Sequence, residues 1–271
     1  MSHSTTVEES VAVIKVGGSI LTSAKAYRRA ATFVRHTLRS APQERLVVVV
    51  SAQEGTTDRL ERGARKIVRD PAPAALDLLW STGEIRSVAL LTLHLQKLGV
   101  AAAPLNIHEA GLTVPETDYE AGRIQLHAGR LRGVLAKFPV AVVPGFLAAN
   151  SANTIVSLGR GGSDLTAVLL AEGLRACRCD LIKDVPGYFT ADPHIDSSAS
   201  HIPHLTFERA LQLAAEGCDL VQRRAIEAAA RAGLPLVIRS LDEKAPSSRI
   251  SHFAIETARA TRETSEAASA D

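Results

Sequence analysis

The chain has 271 residues, 46% of them hydrophobic and 4% aromatic, and its 31 basic and 29 acidic side chains leave a net charge of +2. That length supports a sizeable core in one large α/β domain or two lobes, and the near-balanced charge excludes the broad basic surface of a nucleic-acid-binding protein. No apolar run approaches the roughly 18 residues that cross a bilayer, so no membrane partner is expected.

In chain order, "MSHSTTVEES" lacks the basic-then-apolar layout of a secretory signal. Apolar, β-branched runs then alternate with helical patterns, the mark of a mainly parallel sheet flanked by helices. Strands are expected at Val11–Val16, Leu46–Val50, Val100–Leu105, Val140–Val143, Asp180–Lys183 and Leu236–Arg239. Helices are expected around 24–39, 58–69, 84–98, 163–176, 206–216 and 220–232, three of them ending on Gly99, Gly217 and Gly233, where a left-handed residue closes the last turn. Residues 106–130 have weak periodicity and read as loop with a short hairpin. The polar, alanine-rich tail from 251 reads as mobile towards its end. Three cysteines, Cys177, Cys179 and Cys218, are too few and too odd in number for a disulfide framework, which points to a reducing, cytoplasmic location. The Cys177-x-Cys179 pair has no second ligand pair and reads as packing thiols.

Five segments could carry chemistry. In "VIKVGGSIL" a buried strand delivers Lys15 and then Gly17, Gly18 and Ser19, a compact cation beside backbone N–H groups that an anion can approach. The lysine precedes the glycines, so this is neither a phosphate loop nor a dinucleotide fingerprint; a strand-end turn with a solvated lysine is the alternative. In "VVVVSAQEGTTDRL" a central strand releases Ser51, Thr56 and Thr57 at the edge where open α/β sheets bind ligands, while Asp58 could simply cap the next helix. In "STGEIRSVALLTLHLQKLG" Ser81 and Glu84 fit a capping box at a helix start, a place where a substrate ammonium could also meet Glu84. In "VSLGRGGSDLTAVLLAE" Arg160 and a glycine run stand before a helix opening with Ser163 and Asp164, a set suited to an anion held by N–H groups and a guanidinium fork. Asp164 is out of place there unless it orients a cation such as Lys15. In "LIKDVPGYFTADPHI" a strand ends in Lys183 and Asp184 ahead of a loop that could hold a nucleobase and ribose, or be only a proline–glycine turn.

Together, in this order, "KVGGS", "VVVVSA" with Thr57 and Asp58, "GE" at 83–84, "SLGRGGSD", "KDVPGYFTADP" and "IRSLDEKAP" resemble the amino acid kinase superfamily, and most closely the aspartokinase catalytic domain, over roughly 11–250. The resemblance implies a three-layer αβα sandwich around a mainly parallel sheet, and transfer of the ATP γ-phosphoryl group to the β-carboxylate of aspartate with magnesium. It implies that Lys15 contacts the transferring phosphate and that Gly17, Gly18 and Ser19 line its path. Glu84 and Arg160 would hold the ammonium and α-carboxylate, with Ser51, Thr57, Ser157 and Ser163 in the same substrate site. Asp164 would orient the lysine, and Lys183, Asp184, Phe189 and Asp192 would face the nucleotide. It further implies an acid-binding lobe to about 177, a nucleotide lobe over about 178–250, and a homodimer paired through sheet-flanking helices.

The chain departs from that pattern in places. Phe189 and His194 stand where tyrosine and arginine are usual, Glu54 where glycine is, and Ile20 where a small hydroxyl residue is. Asp219 occupies the position of a phosphate-contacting lysine, which calls for compensation by Lys183, Arg223 or Arg224. The residues after 251 are too few for the regulatory ACT domains of aspartokinases. These departures leave two other readings open: a kinase for another small acid, and a weakly active kinase fold serving as a binding or regulatory subunit.

Overall fold

Two apolar strands, β1 (Ser10–Val16) and β2 (Glu44–Val50), pair in parallel at the centre of the molecule, and nearly every side chain on them is buried. A strand covered on both faces must be apolar throughout rather than alternating, and "LVVVV" at 46–50 meets that demand. The computed structural model describes residues 10–114, 124–159, 161–191, 195–196 and 198–252. Around the central pair, β6 (Val140–Pro144) and β3 (Ala102–Pro104) extend the sheet beyond β2, all in parallel. Beyond β1 come β9 (Arg178–Ile182) and β13 (Leu236–Arg239) in parallel, then β14 (Ser248–Ser251), antiparallel to β13, and last β12 (His204–Thr206). The order in this eight-stranded sheet is β12-β14-β13-β9-β1-β2-β6-β3.

The period of two along β1 and β2 assigns alternate residues to opposite faces. Ala12, Ile14, Leu46 and Val48 pack against α1 (Ala24–Ser40) and α3 (Pro73–Lys97), with α2 (Thr56–Ile67) lying on α3. Val11, Val13, Val47 and Val49 pack on the other side, against a layer that contains α6 (Gly162–Leu174) and α8 (Arg223–Ala232). Also there are α5 (Ala128–Leu135) and α7 (Phe207–Ala215). The expected αβα sandwich is what forms.

A four-stranded sheet of β5 (Gln125–Leu126), β4 (Leu112–Val114), β7 (Leu147–Asn150) and β8 (Ile155–Ser157) flanks it, with the short α4 (Ile107–Ala110) alongside. A ribbon of β10 (Tyr188–Phe189) and β11 (His201–Ile202) follows β9. Residues 106–114 and 124–130, expected as loop and hairpin, thus hold α4, the β4–β5 pair and the start of α5; short elements of mixed polarity leave little periodic signal. The left-handed ends at Gly99, Gly217 and Gly233 are present, with φ of 75°, 99° and 62°.

Two expectations are corrected. The capping box at Ser81 and Glu84 does not exist, because α3 starts at Pro73, a residue preorganised for the first turn of a helix. Ser81 Oγ instead donates to the Leu78 carbonyl at 2.7 Å, and Glu84 lies well inside the helix. Gly83 is tolerated there because it permits contact: a Cβ would stand 3.0 Å from Thr56 Cγ2 and 3.1 Å from Ala52 Cβ. Asp58 does not cap α2 either; Gly55 (φ 69°) holds that position and Asp58 sits in the first turn.

The sheet and α6 meet most tightly at Gly145, just past β6, where an added Cβ would lie 2.6 Å from both the Cβ and Oγ of Ser163. Gly145→Ala is therefore expected to lower stability by about 1–3 kcal/mol through overpacking, measured as a fall in the urea midpoint at unchanged m-value.

Candidate active site

Lys15 is the next-to-last residue of β1 and, by alternation with Val11 and Val13, points to the α6 face. The chain then turns tightly, with Ile20 N–H donating to the Gly17 carbonyl (3.1 Å) and Leu21 N–H to that of Gly18 (2.9 Å). Both glycines sit where a side chain would be crowded, Gly18 the more severely. At Gly17 a Cβ would press on the Lys15 ammonium at 3.2 Å, and at Gly18 it would overlap the Ala52 carbonyl oxygen at 2.6 Å. The first vacancy lets the ammonium lie beside the backbone, and the second lets the loops after β1 and β2 touch.

From the opposite side, α6 begins behind Gly159 (φ 80°) and Gly161 (φ 75°), left-handed positions that glycine occupies without strain. Its first turn places Asp164 over the strand ends. Lys15 Nζ binds Asp164 Oδ1 at 2.8 Å and Lys183 Nζ, from the end of β9, binds Oδ2 at 2.8 Å. The Gln222 N–H also donates to Oδ2 at 3.3 Å. The aspartate that looked misplaced at an anion-binding helix start is thus the shared counter-ion of two lysines. Burial opposes its charge, yet Lys15 and Lys183 together hold its carboxyl well below the usual carboxylate range. Burial pushes the Lys183 ammonium down, and Lys15 adds to that, against the pull of Asp164.

Beside Lys15 opens a cleft of about 350 Å³. Six of the residues proposed from sequence line it: Lys15, Ser51, Thr57, Glu84, Ser157 and Ser163. They come from β1, the loop after β2, α2, α3, β8 and α6, so the fold gathers what the sequence scatters. Glu84 is almost wholly buried; burial pushes its carboxyl up to about 8, against the Ala52 N–H and the Lys15 charge, which favour ionisation. Among the described residues its Oε2 has no hydrogen-bond partner.

Sequence reasoning missed Trp80 and Phe146, whose rings tilt against each other at 5.8 Å along the cleft wall. The single tryptophan of the chain was a signal for the first; nothing local marks Phe146, which takes φ 69° without being glycine, an uncommon conformation that clusters at functional sites. Asp77, two helical turns before Glu84, was also missed. Burial raises its carboxyl while hydrogen bonds from the hydroxyl and N–H of Ser157 oppose the rise.

Of the residues expected at the nucleotide, Lys15 lines this cleft and the other described ones stand outside its lining. Gly17, Gly18 and Ser19 form the turn beside Lys15, and Asp184 follows Lys183 out of β9. Phe189, on β10, meets His201 edge-on at 5.3 Å. Asp219 is exposed in the turn between α7 and α8. Of the three cations that could compensate it, Arg223 pairs with Glu227, Arg224 holds the Leu158 carbonyl, and Lys183 reaches Asp164. Arg160, Asp192, His194 and the tail from 253 lie outside the described residues. Among the described residues, no three His, Cys, Asp or Glu side chains gather as a metal site, and no helix is long and apolar enough to cross a membrane.

The model of the amino acid kinase family matches residues 10–240 of this chain. The chain belongs to that family. Among its relatives, an aspartokinase of Geobacillus stearothermophilus is 39% identical over 195 residues, covering 72% of this chain and 48% of the relative. The structure of an aspartate kinase from Synechocystis superposes with a TM-score of 0.79 at 34% identity, over 91% of this chain and 40% of that one. E. coli aspartokinase III, solved with aspartate and ADP, superposes at 0.73 with 25% identity, over 91% of this chain and 65% of that one. This amino acid kinase chain spans about half the length of the curated relatives it matches.

The Glu84 carboxyl sets a pH dependence. Between the ordinary value near 4.5 and about 8 the folded protein holds a proton that the unfolded chain has released, so this group lowers stability as pH rises, by roughly 1.4 kcal/mol per unit. Unfolding free energies of the ligand-free protein at pH 5, 6, 7 and 8 are expected to fall less steeply in Glu84→Gln than in wild type; equal slopes would contradict the assignment.

Proposed function

We propose that this chain is an ATP-dependent kinase unit that phosphorylates the β-carboxylate of L-aspartate to 4-phospho-L-aspartate. The observation that carries the reading is Lys15, held by Asp164 at 2.8 Å, standing at the wall of a small cleft that also presents Glu84 and four hydroxyl residues. The aspartokinase relatives support it.

Phosphoryl transfer needs alignment and neutralisation of charge more than covalent help from the protein. The acceptor is already an anion, so its oxygen attacks the γ-phosphorus directly, the bond to the bridging oxygen breaks, and ADP leaves with the electron pair. Lys15 offsets charge on the transferring group. Ser51, Thr57 and Ser163 present hydroxyls to the acceptor, and Glu84 receives the ammonium. Ser157 and Arg160 take the α-carboxylate in this reading, the role of Arg160 resting on the resemblance alone. Trp80 and Phe146 close one wall and favour a short acid. Magnesium enters on the ATP phosphates as part of the substrate. Gly17, Gly18, Ser19, Lys183, Asp184, Phe189 and Asp192 form the donor side, so that residues to about 177 serve the acid and 178–250 the nucleotide.

We further read the protein as a cytoplasmic homodimer. Leu78, Ile85 and Leu93, exposed along one side of α3, support pairing through that helix.

With ATP and magnesium, hydroxylamine is expected to trap a hydroxamate from aspartate ahead of other small amino and carboxylic acids, and Lys15→Met is expected to lower its formation by about 100- to 1,000-fold. Absence of hydroxamate from every acid with the wild-type protein would overturn the reading. Arg160→Ala is expected to raise the KM for aspartate by at least about tenfold with the KM for ATP little changed; a matched rise in both would move Arg160 to the phosphates.

A further inference from the structure

We propose that the groove between α1 and the loop after β13 is a second ligand site, separate from the acceptor cleft, for a metabolite-sized molecule that carries two or more phosphate or carboxylate groups. It concerns binding alone and does not rest on the kinase reading above.

The groove has a volume of about 640 Å³, within the roughly 300–1,000 Å³ of small-molecule pockets. One wall is α1, which presents Lys25, Arg28, Arg29 and His36 at the three- and four-residue spacing of a single helix face. The other wall is the loop that leaves β13, with Leu241 and Lys244. Phe33, only 3% exposed, also lines the groove. The Arg239 guanidinium lies 5.2 Å from the centre of its ring and 3.8 Å from the buried Asp180 carboxylate, which holds this apolar part in place. The helix α1 packs on the face of the sheet that carries Ala12 and Ile14, whereas Lys15 points to the opposite layer with α6. Among the described residues, none lines both this groove and the acceptor cleft.

Charge gives the groove its chemistry. Two acids line it and both are committed: Glu243 Oε2 pairs with His36 Nδ1 at 2.8 Å, and Asp242 Oδ1 accepts the Lys244 N–H at 3.0 Å. Among the described residues, nothing pairs with the side chains of Lys25, Arg28, Arg29 or Lys244. Like charges three and four residues apart destabilise a helix. Lys25 also opposes the helix dipole, since it stands in a first turn that holds no acid. The chain as a whole carries a net charge of only +2, so general basicity does not account for the cluster. A bound polyanion turns each of these repulsions into an attraction. Two adjacent guanidinium forks suit the paired oxygens of a phosphate or carboxylate, and the lysines add point charges. Several cations around one concavity call for several negative groups on one ligand, while Phe33 and Leu241 offer an apolar surface to its carbon skeleton.

Calorimetric titration of the full chain with magnesium-free pyrophosphate, and separately with citrate, at fixed ionic strength tests the site. At least one of the two is expected to bind with a Kd of about 1 mM or tighter. Binding of pyrophosphate alone names phosphate as the recognised group, and of citrate alone, carboxylate. The triple variant Lys25→Gln, Arg28→Gln, Arg29→Gln keeps good helix formers at all three positions. In it the affinity is expected to fall by at least about tenfold, while kcat and the KM values for ATP and aspartate stay as in the wild type. A merely solvated helix face makes the other forecast. Binding of neither probe, or equal binding by wild type and variant, overturns the proposal. A KM for ATP that rises together with the loss of anion binding would make the groove part of the nucleotide site, and the claim of a separate site falls. The titration needs no turnover, so a chain that binds the anion yet phosphorylates no acid removes the function and leaves this site standing.

Discussion

A single carboxylate, Asp164, shared by two lysines from neighbouring parallel strands is the constraint on which the rest of the site depends. Buried charges persist only when paired and hydrogen-bonded, and this pairing requires three elements to end within a few ångströms of one point. β1 and β9 supply Lys15 and Lys183 at adjacent strand ends, and the first turn of α6 supplies the acid from above. Parallel pairing matters here. It brings all carboxyl ends to one edge, so side chains more than 150 residues apart in sequence become neighbours without any long-range device beyond the sheet itself.

That convergence explains the small residues around it. Gly17 and Gly18 yield room to the ammonium and to the β2 loop, Gly83 lets α3 close on Ala52, and Gly145 lets α6 sit down on β6. Each marks a place where backbone meets backbone or charge, and none is explained by turn formation alone. Packing density and chemistry are therefore coupled: the same close approaches that build the core also bring Glu84, Ser163 and Lys15 to a common cleft.

Much of this was legible in the sequence, for identifiable reasons. The central strands announce themselves because burial on both faces demands unbroken apolar runs, and the glycine-rich entrance to α6 announces itself because its polar residues exceed what a cap needs. The start of α3 was misread because "STGE" imitates a capping box; only the tertiary closeness of Ala52 and Thr56 reveals why a glycine and a glutamate stand in mid-helix. Asp77 and Phe146 were invisible because their roles are purely spatial, one beside Ser157 and the other against Trp80. The four-stranded sheet was missed for a simpler cause: strands of two to four residues carry too few alternations to be told from loop.

Glu84 completes the electrostatic argument. A carboxyl with no partner on one oxygen, buried to the point of holding its proton near neutral pH, sits in the same cleft as a lysine already committed to another acid. Its neutral form spares the protein a second buried anion, which Lys15 and Lys183, shared with Asp164, could only partly offset. An arriving ammonium shifts the balance towards the charged form, because an opposite charge within hydrogen-bonding reach favours ionisation against the effect of burial. Under the proposed reading the acid's ammonium would thus create its own counter-ion, and the cleft would discriminate against an acid lacking that group by leaving Glu84 protonated and its Oε2 unmatched. The selectivity of such a site comes from what stays unpaired when the wrong ligand enters.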